Sequence, residues 1–261
     1  MRGLRGKRVL VTGAAGGIGA ATVQRFCEEG CSVWALDQDS PGLEALRAAL
    51  IEAGLAGQLA GSTVADVSDP AAVAAAFVEL FAAWPSLDVL INNAGISSRR
   101  RFLELELDEW RRMLDVNLTG LFLVGQTAAR AMAAAGSGVI LNMGSMNALI
   151  GCPNYAHYNA SKAGVVELTK TMALELAPDV RVLCVCPGAV RTPMQEAEYT
   201  AEMFAALDAK IPLKRHAAPG EIAALFAFLA SEEAPYVCGT SIVIDGGESS
   251  GGLASAADEE L

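Results

Sequence analysis

The chain has 261 residues, 52% of them hydrophobic and 19% charged. That is enough to bury a sizeable core, and it fits one large α/β domain better than two small ones. Thirty acidic residues against 19 basic ones give a net charge of -11, which excludes a basic surface for phosphate backbones or anionic lipid. Nucleic acid and membrane are therefore not expected as partners; small molecules and further copies of the chain are.

Arg2, Arg5, Lys7 and Arg8 precede Val9-Leu10-Val11 in the manner of a signal peptide, but the apolar run is too short and ends at Thr12-Gly13. No stretch reaches the roughly 20 apolar residues of a spanning helix, so the expected location is the cytoplasm. Seven short apolar runs then alternate with helical patterns: Arg8–Val11, Ser32–Leu36, Leu59–Ala65, Val89–Ile91, Val139–Asn142, Val182–Val185 and Ser241–Ile244. This alternation predicts βαβ units and a single-domain Rossmann fold, an α/β architecture with a doubly wound seven-stranded parallel sheet and helices on both faces. The third run, broken by Gly61, is the least regular.

Val23, Phe26 and Cys27 share one helical face, as do Val165, Leu168, Met172 and Leu176 in a helix expected over Tyr155–Ala177. Gly30 ends the first helix, Ser68-Asp69-Pro70 reads as a capped start, and Pro178 closes the long helix. The domain is expected over 1–247. Residues 248–261, rich in Gly, Ser, Ala and acidic residues, are expected to form a tail.

The first strand runs into Thr12-Gly13-Ala14-Ala15-Gly16-Gly17-Ile18-Gly19 and a helix, where free amides and the helix dipole favour a pyrophosphate. By itself such a cluster also fits a ligand-free turn. Eighteen residues after Gly19, Asp37 ends the second run in Trp34-Ala35-Leu36-Asp37, where a carboxylate can bond both adenosine ribose hydroxyls and repel a 2'-phosphate. Gln38-Asp39-Ser40 brings no basic clamp, and position 16 is glycine, so the expected cofactor is NAD.

Tyr158 and Lys162 lie four apart on one helix face. A phenol that titrates near ~10 needs a nearby cation to act at neutral pH, and Lys162 can supply it. Alone, such a pair also occurs on ordinary solvated helices. Ser145 follows the fifth run, at the carboxyl end where open α/β sheets bind ligands.

Taken together, the motifs resemble the short-chain dehydrogenase/reductase family: Thr-Gly-x-x-x-Gly-x-Gly at Thr12–Gly19, Asn-Asn-Ala-Gly at Asn92–Gly95, Asn117, Ser145, Tyr-x-x-x-Lys at Tyr158–Lys162 and Pro-Gly at Pro187-Gly188. The resemblance implies Tyr158 as general acid/base, Lys162 as its electrostatic partner and ribose ligand, Ser145 holding the substrate oxygen and Asn117 organising a water path to Lys162. It implies cofactor contacts at Gly13, Gly17, Ile18, Gly19, Asp37, Asp66, Val67, Asn93, Ala94, Gly95, Pro187, Gly188, Val190 and Thr192. His157 is given no catalytic role. The activity implied is hydride transfer between NAD(H) and a secondary alcohol or ketone; the apolar residues of 194–207 add the expectation of a cyclic or bulky apolar compound. Two alternatives remain open: a 3-oxoacyl thioester reductase, and a non-catalytic NAD(H) sensor.

Met194–Leu207, with Tyr199, Met203 and Phe204, reads as a lid with an apolar wall or as ordinary packing. Arg99–Arg101 read as solvated arginines or as a site for an anionic substrate. The six cysteines, Cys27, Cys31, Cys152, Cys184, Cys186 and Cys238, are expected to be free core thiols, and no metal site is expected. A homo-oligomer is expected, a tetramer by resemblance, with Ala128, Ala129, Ala131 and Ala163 permitting close contact between symmetry-related helices.

Overall fold

Alternate residues of a strand face opposite sides of a sheet, and here both sides are apolar. Val9 and Val11, Val33 and Ala35, Val89 and Ile91, and Leu183 and Val185 face one hydrophobic cluster. Leu10, Trp34, Leu36, Leu90, Ile140 and Val182 face the other. A sheet of this kind must be covered by helices on both faces. The computed structural model, which describes residues 1–250, has this architecture.

Its strands are β1 (Arg8–Thr12), β2 (Ser32–Asp37), β3 (Leu59–Val64), β4 (Val89–Asn92), β5 (Gly138–Met143), β6 (Val180–Pro187) and β7 (Ser241–Ile244). They pair in parallel in the order β3-β2-β1-β4-β5-β6-β7. The principal helices are α1 (Gly17–Glu28), α2 (Ser40–Glu52), α3 (Pro70–Ala83), α4 (Leu107–Leu114), α5 (Leu121–Ala135), α6 (Ala156–Leu176), α7 (Pro193–Glu196), α8 (Ala201–Lys210) and α9 (Pro219–Ala230). α1, α2 and α9 bring Val23, Phe26, Leu43, Ile222 and Phe226 to the first cluster; α3, α5 and α6 bring Phe77, Leu80, Val124, Ala128 and Ala173 to the second. Truncating a fully buried phenylalanine such as Phe26 would cost about 3–5 kcal/mol.

The order reverses between β1 and β4, which opens a crevice at the carboxyl ends of these strands. Local signals place the flanking turns. Asp69 caps α3, its Oδ1 accepting from the Ala71 amide at 2.8 Å, and Gly30 takes the left-handed conformation at φ 78° after α1. The irregular third strand has a tertiary cause: a Cβ at Gly61 would lie 2.6 Å from the Trp34 ring, which packs flat across it.

The region 194–207 holds two helices, α7 and α8, separated by residues 197–200. Two expectations need correction. Ala128 and Ala129 are buried within the chain's own core and are not available for a symmetry contact, whereas Phe122 and Leu174 on α5 and α6 are exposed. Cys152 is only half-buried and Cys238 is exposed, so the thiols are free but not all in the core. Residues 248–250, expected to begin the tail, are part of a turn on Asp245, whose Oδ2 accepts from the Ser249 amide at 2.8 Å; the rest of the expected tail, 251–261, lies outside the described residues. No helix among the described residues is long and apolar enough to cross a membrane.

Candidate active site

The crevice is a cleft of about 800 Å³. Its walls include all of the sequence-expected site residues except Asn117. At one end the Thr12–Gly19 loop is held by side chains from β1 and the end of β4. The Thr12 hydroxyl accepts from the Asn93 and Ala94 amides, both at 3.0 Å. Asn93 Nδ2 in turn donates to the Thr12 and Gly13 carbonyls at 2.9 and 3.1 Å. Gly13 has φ 63°, and a Cβ on Gly19 would overlap the Gly13 carbonyl oxygen, so the loop can close only with glycine at both positions. Gly16, the N-cap of α1, provides no side-chain cap. The first-turn amides of α1 are therefore available to an anion in the cleft.

Asp37 ends β2 beside this loop, its Oδ2 accepting from the Ala15 amide at 2.9 Å and its Oδ1 from the Asp39 amide at 3.0 Å. A carboxylate has about four acceptor sites, so two hydroxyls can still be bound. Among the described residues the basic groups lining the cleft are Arg99 and Lys162, and neither is near Asp37. The loop, the uncapped helix and Asp37 thus fit the pyrophosphate and adenosine ribose of a nicotinamide dinucleotide.

Asp66 and Val67 lie after β3. Burial pushes the Asp66 carboxyl up, but the Ser68 hydroxyl and amide and Arg112 outweigh it and hold it below the usual carboxylate range. Arg112, 3.2 Å from Asp66 Oδ2, was not singled out from the sequence; it reaches from α4, and no spacing rule connects the two.

At the other end, α6 presents Tyr158 and Lys162 to the end of β5. The Lys162 ammonium, 2% exposed, donates to the Met143 carbonyl at 2.9 Å and lies 5.7 Å from the Tyr158 ring centroid. Burial pushes the Tyr158 phenol up to about 12, while the Ser145 hydroxyl pulls the other way. Burial likewise pulls Lys162 down to about 8, against the nearby Cys184 and Cys186. Both groups are thus driven toward neutrality in the protein alone. Ser145 caps the turn after β5, its Oγ accepting from the Asn147 amide at 3.1 Å.

Asn117 sits behind the cleft in a π-helical segment, Asp115–Gly120. Its side chain brackets the Ile96 peptide, with Oδ1 accepting from the amide at 2.8 Å and Nδ2 donating to the carbonyl at 2.9 Å. It is thereby committed to positioning the 93–96 segment. It is still close to Lys162, since both approach Gly95, Asn117 Oδ1 within 3.1 Å and Lys162 Nζ within 3.5 Å of where a Cβ would lie.

Pro187 ends β6, and Gly188, Val190 and Thr192 follow it along the same wall. Thr192 caps α7, accepting from the Gln195 amide at 3.3 Å, and its side chain comes within 3.4 Å of a Cβ position at Gly17, across the mouth of the cleft. His157 is fully buried and off the cleft; its Nε2 pairs with the Ser98 hydroxyl at 3.0 Å.

The outer chamber adds Tyr155 and Glu198, to which the sequence did not point, to Arg99 and Tyr199, to which it did. Tyr155 packs against Tyr158 at 6.0 Å between centroids and donates to Glu198 at 2.8 Å. Arg99 lies over Tyr155 and Tyr199, at 6.0 and 5.4 Å from their centroids. Its neighbours are ordinary surface partners, Arg100 bound to Glu109 at 2.6 Å and Arg101 near Glu104 at 3.9 Å. Of the lid candidates, Met194, Tyr199 and Leu207 line the cleft, whereas Phe204 is buried against His216.

Comparison with known proteins agrees with this geometry. The profile of the family described as "Enoyl-(Acyl carrier protein) reductase" matches residues 13–249. The chain is 41% identical to a cis-4-hydroxycyclohexanecarboxylate dehydrogenase of Sinomonas cyclohexanicum, covering 91% of this chain and 94% of that one. It is 40% identical to 3beta-hydroxysteroid dehydrogenase 1 of Eggerthella lenta, covering 94% of each. The crystal structure of a short-chain type dehydrogenase/reductase from Mycobacterium marinum superposes with a TM-score of 0.87 at 38% identity, covering 94% of this chain and 96% of that one. With its motifs, its sheet order and these relatives, the chain belongs to the short-chain dehydrogenase/reductase family.

Proposed function

We propose that the protein is an NAD(H)-dependent dehydrogenase that interconverts a secondary alcohol and a ketone on a cyclic or bulky apolar small molecule. The observation that carries this reading is one continuous cleft with Asp37 at one end and Ser145, Tyr158 and Lys162 at the other. A bound nicotinamide would supply the hydride acceptor or donor. The residues of the chain do the rest. The amides of residues 16–19 and Asp37 hold the pyrophosphate and ribose. Lys162 orients the nicotinamide ribose and favours the phenolate. Ser145 holds the substrate oxygen, and Tyr158 removes its proton in oxidation or returns it in reduction. Asn117 keeps the 93–96 segment and the space beside Lys162 in order. Relatives named for ring-borne alcohols, a hydroxysteroid and a hydroxycyclohexanecarboxylate, support a cyclic substrate.

The test is a screen of cyclic secondary alcohols with NAD+ and NADP+ and of the matching ketones with NADH and NADPH. Turnover with preference for NAD(H) is expected; turnover of only 3-oxoacyl thioesters with NADPH would favour the second reading, a thioester reductase, which the acyl-carrier description of the matching family profile supports. NADH binding with no turnover of any carbonyl or alcohol would favour a sensor. We also propose a cytoplasmic homotetramer, with the exposed Phe122 and Leu174 on α5 and α6 at a subunit contact. Sedimentation of a monomer alone across the micromolar range would refute that assembly.

A further inference from the structure

Three consecutive arginines follow the end of β4, and the fold uses them in two ways. Arg100 and Arg101 are exposed and face Glu109 and Glu104. Arg99 turns instead into the outer chamber of the cleft, which it lines with Tyr155, Glu198 and Tyr199, and it stays open to solvent there. Its main chain is fixed on both sides: the Ser98 hydroxyl pairs with His157 Nε2 at 3.0 Å, and the Arg100 amide donates to the Asn154 carbonyl at 2.8 Å. Its guanidinium is fixed by two aromatic rings, with Cζ 5.4 Å from the Tyr199 centroid and 6.0 Å from that of Tyr155. Such stacking holds a cation without using its N–H donors.

What Arg99 lacks is a strong acceptor. Among the described residues no carboxylate lies within 4.0 Å of it, and its one side-chain hydrogen bond is to the Met203 sulfur at 3.8 Å, a weak acceptor. The acidic residues at this end of the cleft are engaged elsewhere. Glu198 accepts from the Tyr155 hydroxyl at 2.8 Å, and burial, with Tyr199 and Glu198, pushes the Tyr155 phenol up and keeps it the donor. Glu248 faces the Ala189 amide and His216. In a chain of net charge -11, a positioned cation left unpaired in the substrate chamber is a local site for an anion on a surface that otherwise repels one.

A carboxylate suits this site, because the planar guanidinium offers it two parallel donors. The Tyr155 ring bounds the reach: it packs 6.0 Å from Arg99 Cζ and 6.0 Å from the Tyr158 ring. A carboxylate across a six-membered ring from a hydroxyl falls within the span of that ring and its two contacts.

We propose that Arg99 binds a carboxylate on the substrate, so that the substrate class is a ring-borne hydroxy acid with its carboxylate across the ring from the reacting hydroxyl. This rests on the alcohol dehydrogenase reading above. In oxidation the hydride passes from the carbinol carbon to the nicotinamide and the hydroxyl proton to Tyr158. The carboxylate is unchanged, and Arg99 acts on binding and orientation alone.

The test compares kcat/KM for cis- and trans-4-hydroxycyclohexanecarboxylate with that for their methyl esters, using NAD+, in the native protein and in Arg99→Lys and Arg99→Leu. Acid and ester are read in the same protein, so a change in folding or cofactor affinity cancels from their ratio; fluorescence titration with NADH reports that change separately. In the native protein the better acid is expected to exceed its ester about tenfold, between the few-fold effect of an exposed ion pair and the roughly hundredfold effect of a sheltered hydrogen bond between charged groups. Arg99→Leu should bring the ratio to one or below, and Arg99→Lys, which keeps the charge without the fork, should fall between. An ester turned over as well as its acid by the native protein, or an acid preference that survives in Arg99→Leu, overturns the proposal while leaving the dehydrogenase reading standing. Should Arg99→Leu fail to bind NADH, the native ratio is read from about 0.01 to 1 M salt: a fall toward one supports the ion pair, and a constant ratio overturns it. Absence of turnover for every alcohol, cyclohexanol included, removes the dehydrogenase reading and this proposal with it.

Discussion

The two ends of the cleft are built in different ways. The dinucleotide end is made largely from main chain: the Thr12–Gly19 segment from the end of β1 into the first turn of α1, closed by Thr12 and Asn93, with the Asp37 carboxylate at the tip of the adjacent strand. The substrate end is made from side chains brought from α6, the turn after β5, the segment of α7 and α8, and the Asp245 turn after β7. A backbone site tolerates few side chains but needs little help from distant residues. A convergent site can change its substrate by changing residues that have no fixed spacing. One end is therefore suited to holding a common cofactor, and the other to varying what is oxidised.

Four variants break or sharpen this contrast. The largest effect is expected for Tyr158→Phe, which removes the proton-transfer group and should lower kcat by about two to four orders of magnitude, with NADH affinity by fluorescence titration near native. Near-native kcat would remove Tyr158 from the mechanism. Gly19→Ala attacks the other end. Its methyl group would overlap the Gly13 carbonyl oxygen, and overpacking of about 1–3 kcal/mol should weaken NADH about 10- to 100-fold in a protein whose circular dichroism is native. Unchanged affinity would show that the loop does not hold the cofactor.

Asp37→Ala should narrow the ratio of kcat/KM for NAD+ over NADP+ by about tenfold, by removing both the acceptor for the ribose hydroxyls and the repulsion of a 2'-phosphate. A ratio that does not move would separate Asp37 from cofactor choice. The smallest effect on activity is expected at the amino ends of the central strands β1 and β4, opposite the cleft. Asp88 accepts from the Arg8 amide and Nε, both at 2.8 Å. Burial pushes its carboxyl up, but these bonds outweigh it and hold it below the usual range. A folded-state pKa below the unfolded value of about 3.9 contributes stability that is present above about pH 4 and lost as pH falls through the folded value. Asp88→Asn should lower Tm at pH 7 by about 3–6 °C, for a loss of about 1–2 kcal/mol. Its Tm should then fall less steeply than that of the native protein below pH 4, with kcat/KM unchanged. A parallel decline in both proteins would remove Asp88 from acid stability.

Much of this architecture was legible before any coordinates. The alternation of apolar runs and helical faces predicts the seven parallel strands, and Ser241–Ile244 is a strand with the bounds expected. The glycine loop, Asp37, and the pair of Tyr158 and Lys162 on one helix face are each encoded within a few residues of chain, where steric limits on the backbone and the helical repeat leave few alternatives.

What only the tertiary structure decided involves residues far apart in the chain or the balance of burial against charge. Gly61 interrupts a strand pattern because Trp34 lies across it. Arg112 reaches Asp66 from another helix. Lys162, on α6, donates to the Met143 carbonyl at the end of β5. Glu248, in a segment whose composition reads as tail, lines the cleft because the Asp245 turn carries it there. Local periodicity and backbone sterics act over short stretches and can be read in order. Desolvation and contacts between distant elements depend on which surfaces the fold brings together, and no spacing in the sequence records them.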